Sequence, residues 1–290
     1  MEHSHPPNHA LNGSDLLMPR QPLLVLDAET YEWMEIMVCG ISHCYTFVVN
    51  DTMLDKARVV PDGSVDLFIN CRPQAAKALF YGSPTRVADI GEYIDDLQVG
   101  DVIFGVRLLP GQAWWPGGLP MTELTDGGLS LRDCGMGDEL LERLLVQDTF
   151  INRVKAFMAY YMPRYQERYI DSNQTAICRQ AVRCITEHRG ALPIGDLSEA
   201  VGYSSRYLGR VFQQGVGMSP KKFSEIIRFQ QVLTEVRSER RLSDISGDLE
   251  FFDQSHLLKT FRKFAGMSPQ TYKKALIQRG GTPMERINGV

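Results

Sequence analysis

The chain has 290 residues, enough for two domains that each bury a core. Hydrophobic residues make up 43% and charged residues 23%, and no apolar run reaches the length that crosses a bilayer as a helix. The net charge of −4 hides an uneven split: residues 1–171 carry −11 and residues 172–279 carry +7, so the basic part suits a polyphosphate partner and the acidic part does not.

Residues 1–18 hold three His, two Pro, Asn, Ser and Gly and are expected to be a disordered leader. They lack the basic-then-apolar layout of a secretory signal, so a cytoplasmic protein without membrane attachment is expected. Residues 20–109 read as strands and turns. Leu23-Leu24-Val25-Leu26, Tyr45-Thr46-Phe47-Val48-Val49, Val65-Asp66-Leu67-Phe68-Ile69 and Val102-Ile103-Phe104-Gly105-Val106 are short apolar runs. Asn50-Asp51, Pro61-Asp62-Gly63 and Val99-Gly100-Asp101 punctuate them as turns. This pattern predicts a small antiparallel β-barrel or sandwich, with a cupin-like form among the options. Residues 110–137 are loop-rich around Trp114-Trp115. From Asp138 the apolar spacing becomes helical. One stripe uses Leu140, Leu141, Leu144 and Leu145; a second uses Phe150, Val154, Phe157, Met158 and Tyr161 and is predicted to stop at Pro163. This helical hairpin either covers the β domain or forms a dimer interface. The N-terminal domain is thus set at residues 19–163 and a linker at 164–174.

The last hundred residues contain a repeat. Arg210-Val211-Phe212 and Gly217-Met218-Ser219-Pro220 return 49 positions later as Lys259-Thr260-Phe261 and Gly266-Met267-Ser268-Pro269. In the first copy, Ile177, Ala181, Val182 and Ile185 predict one helix, and Ile194, Leu197 and Val201 a second. Gly202 permits a tight turn, and Ser204 can cap a third helix. In that helix Leu208, Val211 and Phe212 face inward, while Arg206, Arg210 and Gln213 share an outer face. Arg matches guanine O6/N7 and Gln matches adenine N6/N7 in the major groove. In the second copy Asp253 is the predicted cap and Leu257, Phe261 and Phe264 face inward. Gln254, Ser255, Lys259 and Arg262 face outward, with His256 nearby. A short helix, a turn and a third helix with such a split is a helix-turn-helix. A linking helix from Ser219-Pro220 to about Ser238 would span roughly 28 Å, against roughly 34 Å between successive major grooves. Two such faces in repeated frames make double-stranded DNA the expected partner. Lys221 and Lys273 are expected to meet phosphates.

Residues from about Thr175 to Arg279 resemble the AraC/XylS family of bacterial transcription regulators. The features that carry the likeness are Phe212, Gly217, Ser219-Pro220, Asp253-Gln254-Ser255-His256-Leu257, Phe261, Gly266 and Pro269. The resemblance implies a DNA-binding domain over 175–279, followed by a flexible tail at 280–290, with each third helix in a major groove. It implies base-facing positions for Arg206, Gly209 and Arg210 in the first half and Gln254, Ser255 and Lys259 in the second. Ser204 and Ser205 complete the expected contact set at the start of the first reading helix. Two departures stand out. Glu250 occupies the place of the family's turn glycine, where a side chain costs about 1–2 kcal/mol in a left-handed turn. Gly209 lies within the first reading helix, at a cost of about 1 kcal/mol. The N-terminal part is similar to a domain found ahead of this unit in other family members, through Arg58 to Leu67, Tyr81-Gly82, Gly105 to Gly111 and Glu123 to Asp126. That likeness implies effector sensing or dimerisation.

The fold class expected is therefore α+β: an N-terminal β domain with a helical hairpin, then an all-α double helix-turn-helix. The function expected is a sequence-specific transcription regulator acting as a homodimer, with RNA polymerase as a partner and a small-molecule effector. Asp66, Tyr81, Arg107, Trp114 and Trp115 could line an effector pocket, with flat apolar walls and a few charges. No cofactor, metal or catalytic residue is expected. Cys39, His43 and Cys44 lack a fourth ligand at zinc spacing, and His43-Cys44 runs opposite to the acceptor motif of DNA-repair methyl acceptors fused to such units. That enzyme is one alternative. A protein-interaction module weakened in DNA binding by Gly209 and Glu250 is another.

Overall fold

The computed structural model describes residues 21–290 except 73–74, 115–119, 135, 137, 169–171, 239, 279–283 and 287–290. The leader at 1–18 and Trp115 therefore lie outside the described residues. The N-terminal part runs α1 (Pro22–Asp27), β1 (Tyr31–Glu35), β2 (Ile41–Val48), α2 (Asp51–Lys56), β3 (Arg58–Val59), β4 (Val65–Asn70), β5 (Lys77–Tyr81), β6 (Ala88–Asp89), α3 (Ile90–Tyr93), β7 (Val102–Leu108), a 3-10 turn at Met121–Glu123 and β8 (Gly128–Ser130). The hairpin α4 (Asp138–Leu145) and α5 (Phe150–Arg168) follows. The C-terminal part is α6 (Asn173–Glu187), α7 (Ile194–Val201), α8 (Ser205–Val216), α9 (Pro220–Glu235), α10 (Leu242–Asp248), α11 (Gln254–Ala265) and α12 (Pro269–Gln278), closed by β9 (Met284–Arg286).

The main sheet has the linear order β8-β5-β4-β7-β2-β1-β9 and a separate pair β3-β6. All its pairings are antiparallel except β1 with β9. The antiparallel β domain expected as a barrel or a sandwich is thus an open sheet with helices on both faces. Its central strands are buried on both sides, as β2 illustrates with seven buried residues in succession. A register shift between Ile41 and His43 lets Ile41 share a face with Cys44 although they differ by an odd number of positions. On one face Cys44, Leu67, Ile69, Phe104 and Val106 pack under α4 and α5. Phe104 lies 6.2 Å from Phe150 and 6.3 Å from Phe157, ring to ring. The hairpin therefore covers the sheet with the apolar stripes that also suggested a dimer interface. On the other face Tyr31, Tyr45, Phe47, Phe68 and Tyr81 form an aromatic layer under α1, α2 and α3.

Several local expectations change. Leu23–Leu26 is not a strand but part of α1, opened by Pro22 in the first turn. Leu23 joins the core of the C-terminal part while Leu24 and Val25 join the aromatic layer, so the short helix is wedged between two cores. Asn50 follows the end of β2, but it opens a helix rather than a simple turn: its side chain caps α2 by accepting from the Met53 N–H at 2.8 Å. Helix α5 passes through Pro163 to Arg168, which shortens the expected linker. The proline removes one helical donor, but Tyr161 before it and Tyr165 after it both pack on Trp114. Arg164 also stacks 3.7 Å from the centre of Tyr160 and donates to the Tyr160 carbonyl at 2.8 Å. Tertiary packing thus outweighs the lost bond. The tail expected to be flexible contributes β9, which pairs with Tyr31–Trp33 at the edge of the N-terminal sheet.

The two parts share an interface. A buried network fixes the loop at residues 60–63. Arg107, 3% exposed, donates to Asp66 at 2.7 and 3.0 Å and pairs with Asp62 at 3.3 Å. Gln21 donates to Asp62 and to the Val60 carbonyl. The loop so held presents the Pro61 carbonyl, which accepts from Gln230 on α9 at 2.7 Å. Gly63 has φ +82° and lies so close to Phe223 that a Cβ would sit 2.4 Å from its ring. Thr125 donates to the Gly217 carbonyl at 2.8 Å, and Arg58 to that of Gly266 at 3.5 Å.

Candidate nucleic-acid interface

Each reading helix is built from its own sequence signals. Ser204 accepts from the Tyr207 N–H to open α8, and Gly217 closes it in the left-handed region at φ 89°. Asp253 accepts from the His256 N–H to open α11, and Gly266 closes it at φ 68°. The apolar stripes go inward: Leu208, Val211 and Phe212 from α8, and Leu257, Phe261 and Phe264 from α11, are all buried. Because 3.6-residue periodicity separates the faces, Arg206, Arg210 and Gln213 are exposed on α8, and Gln254, Ser255, His256, Lys259 and Arg262 on α11. Arg210 is braced by the Tyr207 ring, 5.2 Å from its centre. Gly209 is half-buried, and a Cβ there would meet nothing within 4 Å.

Not every expected contact residue is equally available. The Ser204 oxygen is engaged in capping, and the Ser205 hydroxyl bonds Ser198 at 2.8 Å. His256 sets its ring edge-on to Phe251 at 5.4 Å, and so faces the space between the units. Lys273 donates to the Ser238 carbonyl at 2.9 Å, which gives it a structural bond rather than only a phosphate-facing role. Helix α9 has 16 residues, hence about 24 Å rather than the roughly 28 Å expected. It is capped by Ser219 accepting from the Lys222 N–H, with Pro220 in the first turn.

The domain interface meets the C-terminal ends of both reading helices, at Gly217 and Gly266. Their N-terminal ends, with Ser204 and Asp253 exposed, lie one 12-residue helix away, about 18 Å. The N-terminal part therefore braces the pair without capping the ends that would enter a groove.

Arg228 is a further residue, not among those expected from the sequence. From α9 it donates to the Gly190 carbonyl of the first unit at 2.8 Å and to the Glu250 carbonyl of the second at 3.3 Å, with its guanidinium 5.4 Å from the Phe251 ring centre. Burial lowers its pKa despite Glu250 and Glu225 nearby. Glu250 does adopt the left-handed conformation, with φ 53°. The second turn is thus kept, not rebuilt, and the arginine pins its carbonyl. The cue available was the non-glycine at 250, which needs support from elsewhere in the fold. Between the units lies a cleft of about 590 Å³, lined by Lys221, Arg228, His256 and Lys263 among others.

Of the residues proposed for an effector pocket, Asp66, Arg107 and Tyr81 are cross-strand neighbours, but Trp114 does not join them. Asp66, Arg107 and Tyr81 lie on the aromatic face of the sheet, and Arg107 is saturated by its two carboxylates. The Tyr45 ring lies over Gly105 beside it, where a Cβ would fall 2.0 Å from the ring. Burial raises the Tyr81 hydroxyl to about 12, with Asp95 adding to it. Trp114 packs on α5, across the sheet. Trp115 is outside the described residues.

Residues 197–275 match the family model described as "Helix-turn-helix domain". The matched stretch takes in α8, α9, α10 and α11. Over 93 residues the chain is 31% identical to the melibiose operon regulatory protein of Escherichia coli strain K12, a match covering 32% of this chain and 31% of that protein's length. It is 25% identical over 293 residues to the HTH-type transcriptional activator RhaR of Yersinia pestis bv. Antiqua strain Angola, with 89% and 96% of the two chains covered. Among solved structures, ToxT from Vibrio cholerae O395 aligns over 85% of this chain and 96% of that one, with a TM-score of 0.38 and 10% identity. Both caps, both inward stripes and both outward polar faces fall within residues 197–275.

Proposed function

We propose that the chain is a sequence-specific DNA-binding transcription regulator whose α8 and α11 read successive major grooves from one side of the duplex. The observation that carries this is the pair of exposed polar N-terminal ends, braced from behind by one domain and linked by one helix. Arg206, Arg210 and Gln213 read the first half-site, and Gln254, Ser255, Lys259 and Arg262 the second. Ser204, Ser205, Gly209 and His256 line the approach. The division into a regulatory domain at 19–163 and a DNA-binding domain at 175–279 belongs to this proposal, as do a homodimer and contact with RNA polymerase. Control by a small molecule or partner on the N-terminal domain would act through the loop at 60–63, which the Arg107 network holds against α9.

The test is selection of duplexes from a random pool by the full chain, followed by affinity measurement on selected and random duplex. Arg210→Ala should weaken the selected duplex by about 1–3 kcal/mol and leave the random one nearly unchanged. Equal losses on both would remove base reading from this residue, and no enrichment at all would remove sequence-specific binding.

A further inference from the structure

Phe252 is 92% exposed, while its neighbour Phe251 is 7% exposed beneath Arg228. A lone exposed apolar residue is ordinary on a protein surface, but this one sits immediately before Asp253, the cap of the second reading helix. The corresponding residue of the first unit, Tyr203, precedes the cap Ser204. It is stacked on Tyr207 at 5.3 Å and bonded through its hydroxyl to Asn173. The difference has a backbone origin. In the first unit one residue separates left-handed Gly202 from the cap; in the second, two residues separate left-handed Glu250 from Asp253. The extra residue lets Phe251 take the buried place and sends Phe252 outward.

We infer that Phe252 is a specificity-determining residue that packs on a thymine methyl group in the second half-site. This rests on the DNA-reading function proposed above. The N-terminal residues of a reading helix are those that approach base edges, and Phe252 extends that end by two positions beyond Gln254. A phenyl ring has no donor for a phosphate, and pressing it on one would strip the anion of water without replacement. The apolar feature that the bases offer in the major groove is the thymine C5 methyl. Gln254 and Ser255 then supply hydrogen bonds beside an apolar contact, and the second unit reads a thymine that the first unit, with Tyr203 held by Tyr207 and Asn173, does not read in this way.

The experiment uses the full chain and a duplex selected from a random pool, with each thymine of the second half-site replaced in turn by deoxyuridine. Loss of one buried methyl should weaken wild-type binding about fourfold at one position. Phe252→Ala should weaken the thymine duplex at least as much and be insensitive to deoxyuridine at that position, while Phe252→Leu should retain most of the sensitivity. Unchanged random-duplex affinity and unfolding midpoint show that the variants are folded. Equal deoxyuridine effects in wild type and Phe252→Ala, or full affinity in Phe252→Ala, overturn the inference. In those cases the DNA reading stands; a change confined to self-association would instead assign the ring to a second copy of the chain. A pool in which no duplex is enriched overturns both.

Discussion

Replacing Arg228 by Met removes the clamp between the two helix-turn-helix units while keeping a long apolar stem. Two bonds are lost, at 2.8 Å to Gly190 and 3.3 Å to Glu250. A hydrogen bond from a charged group contributes about 1.5–3 kcal/mol, and the longer one counts for less. The contact with the Phe251 ring adds about 0.5–1 kcal/mol. Against these stands the dehydration of the guanidinium, visible in its lowered pKa, which a methionine does not incur. The net loss is about 2–3 kcal/mol, or about 4–10 °C in the thermal unfolding midpoint if the chain unfolds as one unit. Because the clamp also sets one unit against the other, affinity for the selected two-half-site duplex should fall by more than tenfold and random-duplex affinity much less. Calorimetry and fluorescence anisotropy on the same preparation read both. An unchanged midpoint together with unchanged selected-site affinity would refute the clamp.

Glu250→Gly should relieve about 1–2 kcal/mol of left-handed strain and return about 0.4–1 through the freer unfolded chain. A net gain of about 0.5–1 kcal/mol in urea unfolding is expected, and a loss would mean that the glutamate side chain itself supports the turn. Gly209→Ala should stabilise the protein by about 0.8–1 kcal/mol, since the added methyl meets no atom of the protein. It should weaken the selected duplex; stabilisation with unchanged binding would show that no base edge approaches there. His43 is buried and held at about 3, chiefly by desolvation and then by the charge of Arg107. Its folded pKa lies below the unfolded value near 6.5, so the unfolded chain takes up the proton first. Stability is therefore complete above that pH and falls by about 1.4 kcal/mol per unit as pH drops from about 6 towards 3. His43→Gln should flatten that part of the slope, measured by urea unfolding across the range; an unaltered slope would remove His43 as its source.

The C-terminal domain was legible because each of its signals is local. Ser204 and Asp253 cap the helices that follow them, glycines 217 and 266 close those helices, and the inward stripes keep helical spacing. The strands at Val65, Tyr45 and Val102 were legible for the same reason. Long-range packing decided what was missed. Leu23–Leu26 has the composition of a strand, but two cores on either side favour a helix. Pro163 reads as a stop, and the aromatic cluster of Trp114, Tyr161 and Tyr165 carries the helix past it. The pocket residues were grouped by chemical type, yet alternation along strands and the position of α5 put Trp114 across the sheet from Arg107. Arg228 was invisible because its partners are backbone carbonyls 38 and 22 positions away. The doublet Phe251-Phe252 held a cue, since two adjacent aromatics on a turn cannot both face one core.

Methylation interference at guanine N7 reads whether both units enter the duplex from one side. On the selected duplex, two clusters of interfering guanines centred about 10–10.5 base pairs apart are expected, with Arg210→Ala erasing interference only in the first. A single cluster, or two separated by about half a turn and so on opposite faces, would contradict entry from one side.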